Sequence, residues 1–156
     1  MASDNEDVAG VIAPPPLIFL IPGLAGILLG WLFPFRLWPR GFGLMAGGTL
    51  AVLAIALFLW AVPKFARAGT SVVPYKPTTA IIDSGPYAFS RNPIYLAMAL
   101  LYVGISLMAA SVWPLVLLPV ALLVVQRGVI EREERYLERK FGDQYLTYKS
   151  RVRRWL

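Results

Sequence analysis

The chain has 156 residues, a hydrophobic content of 58% and a formal net charge of +6 at pH 7. Its mean hydropathy of +0.63 is too high for an ordinary soluble domain, and its length is too small for several domains. Cysteine and histidine are both absent, which excludes disulfide bonds, thiol nucleophiles, imidazole bases and most zinc sites. The composition therefore predicts a single integral membrane domain over residues 1–156, with no metal site.

Four apolar stretches follow a short acidic segment. Residues 1–13 contain three acidic residues and no Lys or Arg, so we expect a disordered tail and no cleaved secretory signal. Each apolar stretch predicts a transmembrane helix, and the last two are joined by a tight turn that predicts a hairpin. The fold prediction is an all-α membrane protein with four transmembrane helices and a helical cytoplasmic C-terminal extension over residues 126–156. The expected spans are about 14–33, 41–62, 93–110 and 113–125.

The first two predicted spans contain glycines four residues apart. These pairs are Gly26 with Gly30 and Gly43 with Gly47. Because small residues at this spacing lie on one helix face, they allow two helix backbones to approach closely in lipid. We expect both pairs to serve helix packing.

The basic residues predict the topology. Thirteen of the fifteen Lys and Arg lie in the connector 64–92 and in residues 126–156, and the other two lie between the first two spans. The positive-inside rule then predicts that both termini are cytoplasmic, in the inner membrane if the source is bacterial. The net positive charge flanks apolar spans, so it favours anionic lipid head groups as partners and argues against nucleic acid.

The start of the third span is the most distinctive local feature. We predict that Asn92 caps this helix through its side chain and that Pro93 is its first residue, where no N–H is needed. The free N–H groups of the first helical turn and the charge of Arg91 would together form an anion site. The alternative is an ordinary membrane-helix start with an interfacial arginine and interfacial aromatic residues.

The fourth span continues into a charged segment without an obvious break, which predicts one helix from the bilayer to Phe141. Glu134 then lies in an otherwise apolar stripe of that helix, where a carboxylate needs a cation or a hydrogen-bond donor. Arg127 on the same stripe or a water layer could satisfy it. Alternatively, Glu133 and Glu134 bind a polar ligand. The predicted stripe comprises Leu123, Arg127, Ile130, Glu134, Leu137 and Phe141.

Several short motifs between residues 84 and 152 together resemble one family. The combination is similar to the C-terminal half of the isoprenylcysteine carboxyl methyltransferase and phospholipid methyltransferase group, which are integral membrane enzymes that use S-adenosylmethionine. The first two spans match only as generic apolar helices. The motifs are Gly85-Pro86-Tyr87, Arg91-Asn92-Pro93-Ile94-Tyr95-Leu96, Glu133-Glu134, Leu137, Phe141-Gly142, Tyr145 and Tyr148.

The resemblance implies a site for S-adenosylmethionine made by the last hairpin and the C-terminal segment. It implies that the catalytic residues are Glu134, Arg91 and Asn92. The implied cofactor-binding residues are Arg91, Asn92, Pro93, Tyr95, Leu96, Glu133 and Glu134. Tyr87, Phe89 and Tyr95 are candidates to line the adenine or sulfonium part of that site, and the alternative is that they are interfacial aromatic residues.

This chain departs from the family pattern at three positions. Asn92 stands where the family usually has His, and because an amide cannot titrate, it cannot replace that His in proton transfer. Ala97 stands where Gly is common. Arg153, in place of Pro, follows Val152.

The implied function is methyl transfer to a lipophilic acceptor at the cytoplasmic membrane face. A carboxylate acceptor needs no base, whereas an amine or a thiol must lose a proton, for which Glu134 is the candidate by position. A small transporter subunit is a rival hypothesis, but the first three spans contain no ionisable residue except tyrosine. A non-catalytic scaffold with a basic, lipid-binding C-terminal segment is the other rival.

Overall fold

The structure is a computed structural model that describes residues 7–156. These residues form helices and no β-strand, which confirms the all-α class. A 3₁₀ turn, Gly85–Ala88, precedes α3, and a π-helical turn, Gln126–Ile130, joins α4 to α5. The α-helices are α1 Pro15–Leu32, α2 Arg40–Arg67, α3 Pro93–Met108, α4 Trp113–Val125, α5 Glu131–Phe141 and α6 Asp143–Arg151.

Proline sets several of the helix starts. α1, α3 and α4 each have proline in their first two positions, where its fixed φ suits the helix and its missing N–H removes no hydrogen bond. The predicted start of α3 at Pro93 is confirmed. α2 runs five residues past the predicted end, through Pro63, and closes with Lys64 and Arg67 in its last turn, where cations stabilise the negative end of the helix dipole.

Within residues 7–156, three helices are long and apolar enough to cross a membrane. They are α1, α2 and the continuous helix from Trp113 to Phe141, whereas α3 is apolar but has only 16 residues. α3 packs mainly on α2, and α4 packs mainly on α1. α3 and α4 are joined by a short connection, as the predicted hairpin requires. However, each packs mainly on another helix, α3 on α2 and α4 on α1.

Both glycine pairs lie at helix contacts, which confirms their packing role. A β-carbon on Gly47 would lie 2.5 Å from the carbonyl oxygen of Gly104, and one on Gly43 would lie 2.4 Å from that of Leu107. On α1, a β-carbon on Gly26 would lie 2.5 Å from Pro114 Cα. A side chain at any of these positions would force two backbones apart.

The connections between the helices gather at two opposite ends of the bundle. At one end, Trp38 Nε1 donates to Leu107 O at 3.1 Å and Trp113 Nε1 donates to Phe33 O at 2.8 Å. At the other end, Tyr136 Oη donates to Asp7 O at 3.0 Å. α1 to α4 thus run back and forth between the two ends.

Residues 7–13 differ from the expected disordered tail. Val11 is buried, Ile12 N donates to Gly128 O at 3.1 Å, and Arg132 Nη1 donates to Gly10 O at 2.8 Å. The absence of a side chain on Gly128 lets Ile12 pack against this backbone. The segment is ordered because its last residues are apolar and pack on the bundle. The prediction of disorder relied on the acidic residues at its start. The remainder of the predicted tail, residues 1–6, lies outside the described residues.

The π-helical turn breaks the predicted stripe. It holds one extra residue per turn, which rotates everything after it by roughly 100° relative to α4. Leu123 and Arg127 are consequently exposed, while Ile130 and Glu134 are buried. The prediction that Arg127 shares a face with Glu134 is therefore wrong.

Candidate functional site

A cavity of about 410 Å³ lies at the end of the bundle that holds residues 7–14. This volume is typical of small-molecule sites. Its walls come from the start of α1, the second half of α2, the connector between α2 and α3, the start of α3, and α5 and α6. The predicted site residues that line the cavity are Tyr87, Arg91, Asn92, Pro93, Tyr95, Glu133 and Glu134.

Two predicted site residues lie elsewhere. The side chain of Phe89 is 69% exposed and does not line the cavity. Leu96 follows Tyr95 on α3 but faces away from the cavity as well. Successive helical residues point about 100° apart, so a contiguous motif cannot place all its side chains in one site.

The connector between α2 and α3 covers one side of the cavity. Its residues between Ser71 and Ile82 supply much of that wall. Thr79 N donates to Thr70 Oγ1 at 2.9 Å and thereby closes the connector into a compact loop. Thr78 N donates to Tyr136 Oη at 3.1 Å, which attaches the loop to α5.

Asn92 does not cap α3 through its side chain as predicted. It occupies the N-cap position, but its Nδ2 donates to the backbone oxygen of Arg154 at 2.9 Å. Its backbone N–H donates to Ser90 Oγ at 3.2 Å. The amide therefore anchors the C-terminal segment to the start of α3, and the free N–H groups of the helix remain without a side-chain acceptor from Asn92.

Glu134 lies between two arginines. Arg154 donates from Nε to Glu134 Oε1 at 3.0 Å and from Nη2 to Oε2 at 2.8 Å. Arg91 Nη1 lies 3.1 Å from Glu134 Oε1. The side chains of Glu134 and Arg91 are only 7% and 9% exposed. These two arginines supply the cations that the sequence required, in place of Arg127 or a water layer.

Arg154 is the partly exposed member of this ion cluster, and its pKa is shifted. The hydrogen bond with Glu134 raises the pKa of Arg154 above its usual value. Glu131 Oε1 lies 3.8 Å from Arg154 Nη1, so the two arginines of the cluster face two carboxylates.

Arg91 has unused hydrogen-bonding capacity at the cavity wall. Its Nε and Nη1 are buried, and no described residue accepts a hydrogen bond from either atom. Buried donors of a charged group nearly always have partners. This pair of donors, on a side chain that lines the cavity, fits an anionic group of a bound molecule.

Glu133 presents the second carboxylate to the cavity. It accepts a hydrogen bond of 2.7 Å from Tyr95 Oη, and its side chain is half-buried. Unlike Glu134, it has no ion pair within the described part of the chain. Glu133 is therefore the carboxylate that is free to bind a polar or cationic group of a ligand.

Aromatic residues of α6 complete the wall near Arg91. Tyr148 Oη donates to the backbone oxygen of Tyr87 at 2.8 Å. Burial raises the pKa of Tyr145 to about 12, and the negative charge of Glu134 adds to this shift while Arg91 opposes it. Burial likewise raises the pKa of Tyr148. Both residues therefore remain neutral hydrogen-bond donors.

The site also contains residues that the sequence did not assign to it. Tyr145 and Tyr148 were recognised as motif residues, and their spacing of three on α6 is the signal that both reach one surface. Arg154 is not a predicted site residue, because nothing in a basic C-terminal segment indicates which arginine pairs with Glu134. Tyr136 gave no signal beyond its place on α5.

A second cavity of about 440 Å³ extends along the helices from the first. It lies among α1, α2, α3 and the start of α4, and its lining is almost wholly apolar. Three residues, Pro16, Phe58 and Met98, line both cavities. An apolar groove thus adjoins a chamber whose wall carries Arg91, Glu133 and Glu134.

Comparison with known proteins gives a family. The family model for phospholipid methyltransferase matches residues 42–144, which is most of the chain. An uncharacterized protein of Haemophilus influenzae is 60% identical over 35 residues, which are 22% of this chain and 56% of that protein. The chain thus spans about half the length of this curated relative. No solved structure matches.

The helical bundle, in which three helices of residues 7–156 are long and apolar enough to cross a membrane, is that of a membrane protein with a cavity at one end. The chain belongs to the phospholipid methyltransferase family, which confirms the resemblance drawn from its motifs.

Neutralising Glu134 should lower stability. Glu134→Gln leaves Arg91 buried without its counter-ion, and breaking a buried pair in this way costs about 3–5 kcal/mol. We expect a clear fall in the melting temperature of the detergent-solubilised protein. Glu138→Gln is the matched control, because Glu138 forms only a partly exposed pair with Lys149 and should change stability by about 0.5 kcal/mol or less. Equal melting temperatures for the two variants would contradict the role of Glu134.

Proposed function

We propose that the protein is an integral membrane methyltransferase that moves a methyl group from S-adenosylmethionine to a lipophilic acceptor at the cytoplasmic membrane face. The observation that carries the proposal is the buried guanidinium of Arg91, which has two donors without a hydrogen-bond partner among the described residues, on a side chain that lines the same cavity as Glu133. The family supports the reaction class, and the apolar groove beside the cavity supports the kind of acceptor.

The cavity fits the chemical groups of S-adenosylmethionine. Arg91 and the free N–H groups at the start of α3, after Asn92 and Pro93, would hold the carboxylate. Glu133 would accept from the ribose hydroxyls or face the sulfonium. Tyr87 and Tyr95 supply aromatic surface for a cation or a base.

The residues of the chain would bind the methyl donor and the acceptor, orient them, and exclude water from the site. When bound, S-adenosylmethionine supplies a methyl group that leaves a sulfonium by in-line displacement. Such a reaction needs donor and acceptor to be held in near-attack geometry, and it needs no covalent nucleophile. The loop from Ser71 to Ile82 covers the cavity and would keep water from it. In this role Glu134 and Asn92 position Arg91 and the start of α3.

Glu133 is a better candidate base than Glu134. The Glu134 carboxylate is already engaged by two guanidinium groups, so using it as a base would break that ion cluster. Glu133 accepts only from Tyr95 within the described residues. If the acceptor is an amine or a thiol, Glu133 would take its proton, whereas a carboxylate acceptor needs none.

The acceptor would lie in the apolar groove. The groove is bounded by helices whose other faces expose many large apolar side chains, as expected for surfaces in lipid. A lipid-like chain could therefore enter from the bilayer and bring its polar end to Met98 and Phe58, where the two cavities meet. This arrangement supports an isoprenoid or lipid-like carboxylate, amine or thiol as the acceptor.

The proposed topology has four membrane crossings in one domain. α3 is about 24 Å long, shorter than the roughly 30 Å apolar core of a bilayer, but it runs between the same two ends as its neighbours. The cavity end carries most of the basic residues, so it would face the cytoplasm.

The single decisive experiment is titration calorimetry with S-adenosylmethionine, followed by transfer of labelled methyl into the lipid-extractable fraction. We expect the purified protein to bind this ligand and Glu133→Gln to weaken binding roughly tenfold or more, because a charge-assisted hydrogen bond contributes about 1.5–3 kcal/mol. Glu138→Gln, whose carboxylate does not line the cavity, should bind like the parent. Absence of binding by the parent would refute the proposal, and binding without methyl transfer would favour a non-catalytic role.

The proposed binding of the acceptor in the groove can be tested by placing a large side chain there. Ile55 lines the groove and Leu53 does not, although both lie on α2 with 50% and 55% exposure. We expect Ile55→Trp to raise the KM for a lipophilic acceptor several-fold, with unchanged affinity for S-adenosylmethionine. Leu53→Trp should leave both constants unchanged. If the two tryptophan variants behave alike, the acceptor lies elsewhere.

Topology can be tested with reporter fusions in cells. A reporter after Leu156 and one joined to the N-terminus should both read cytoplasmic, while a reporter near Arg36 should read external, because α1 to α4 run alternately between two ends of the bundle. Termini on opposite sides of the membrane would exclude four crossings.

A further inference from the structure

The segment after α6 forms a strap across the start of α3. Its backbone accepts hydrogen bonds from Arg91 N to Arg153 O at 2.9 Å and from Asn92 Nδ2 to Arg154 O at 2.9 Å. Trp155 packs against the buried core and so fixes the far end of this strap, residues 152–156. The strap thus places the Arg154 guanidinium beside Glu134.

Glu134 does not serve both arginines equally. A carboxylate accepts a bidentate pair of parallel N–H bonds from one guanidinium, and Arg154 forms that pair. Arg91 Nη1 is near Glu134 Oε1 at 3.1 Å but makes no hydrogen bond to it with acceptable geometry. Arg91 therefore keeps two buried donors without a partner among the described residues, on a side chain that lines the cavity.

We propose that Arg154 is a positioning residue that engages Glu134 and thereby leaves Arg91 free to bind the anionic group of a ligand. This inference rests on the proposed binding of S-adenosylmethionine, whose carboxylate is that group. Without Arg154, Glu134 would turn its full hydrogen-bonding capacity to Arg91 and compete with the ligand. The other groups that face this cluster are Glu131, 3.8 Å from Arg154 Nη1, and neutral Tyr145.

The test compares two ligands that differ only in the carboxylate. Titration calorimetry with S-adenosylmethionine and with decarboxylated S-adenosylmethionine gives an affinity ratio for each variant. We expect Arg154→Ala to weaken binding of the first ligand roughly tenfold and of the second about threefold at most. The affinity of Arg154→Lys for S-adenosylmethionine should lie between those of the parent and of Arg154→Ala, because an ammonium cannot form the two parallel bonds of a guanidinium. Arg153→Ala is the matched control, since its exposed side chain can be removed while its backbone bond to Arg91 remains.

A second variant separates competition from simple loss of structure. In a Glu134→Gln background no carboxylate competes for Arg91, so adding Arg154→Ala should not change the ratio of the two affinities further. An equal loss for both ligands in Arg154→Ala, or no loss for either, would overturn the inference while leaving the proposed function intact. Failure of the parent protein to bind S-adenosylmethionine would instead overturn the proposed function on which the inference rests.

Discussion

The buried carboxylate of Glu134 is the group on which the geometry of the site depends. It joins three parts of the chain that are distant in sequence: α5, the turn before α3 and the strap that carries Arg154. Removing such charges from water costs several kcal/mol per ion, and their mutual attraction repays this only when the geometry is good. The cluster is therefore weak evidence for stability but fixes where Arg91 lies, which a purely apolar contact of similar size would not do.

The π-helical turn is what brings this carboxylate to the cluster. An uninterrupted α-helix would carry the lipid-facing surface of α4 directly into α5, and Glu134 would follow Leu123 and Arg127 to the outside. The extra residue rotates α5, so that Glu133 and Glu134 face inward. Gly128 within this turn admits Ile12, which seals the outer side of the turn. Helical irregularities of this kind are frequent at functional sites because they re-aim side chains.

Local signals in the sequence predicted the local structure well. Pro93 fixed the start of α3, and the glycine pairs identified the close helix contacts. The need for a cation beside Glu134 also followed from its apolar neighbours. The identity of that cation did not, because Arg154 lies 20 residues further on and reaches Glu134 only through the path of the strap. Glu134 alone therefore predicted a partner, and only tertiary structure could select it from nine arginines and lysines in the same segment.

In the proposed reaction, the first cavity would hold the methyl donor and the apolar groove would hold the acceptor. A charged, water-soluble donor requires hydrogen-bonding partners at its polar end, which Arg91 and Glu133 can supply. A lipophilic acceptor requires an apolar path, which the groove among α1, α2 and α3 can supply. The shared wall at Pro16, Phe58 and Met98 is the place where both could approach with little water between them. Since a sulfonium is attacked in line, the orientation of the donor at this wall would control the rate, and Arg91, fixed through Glu134 and Arg154, is the group best placed to set it.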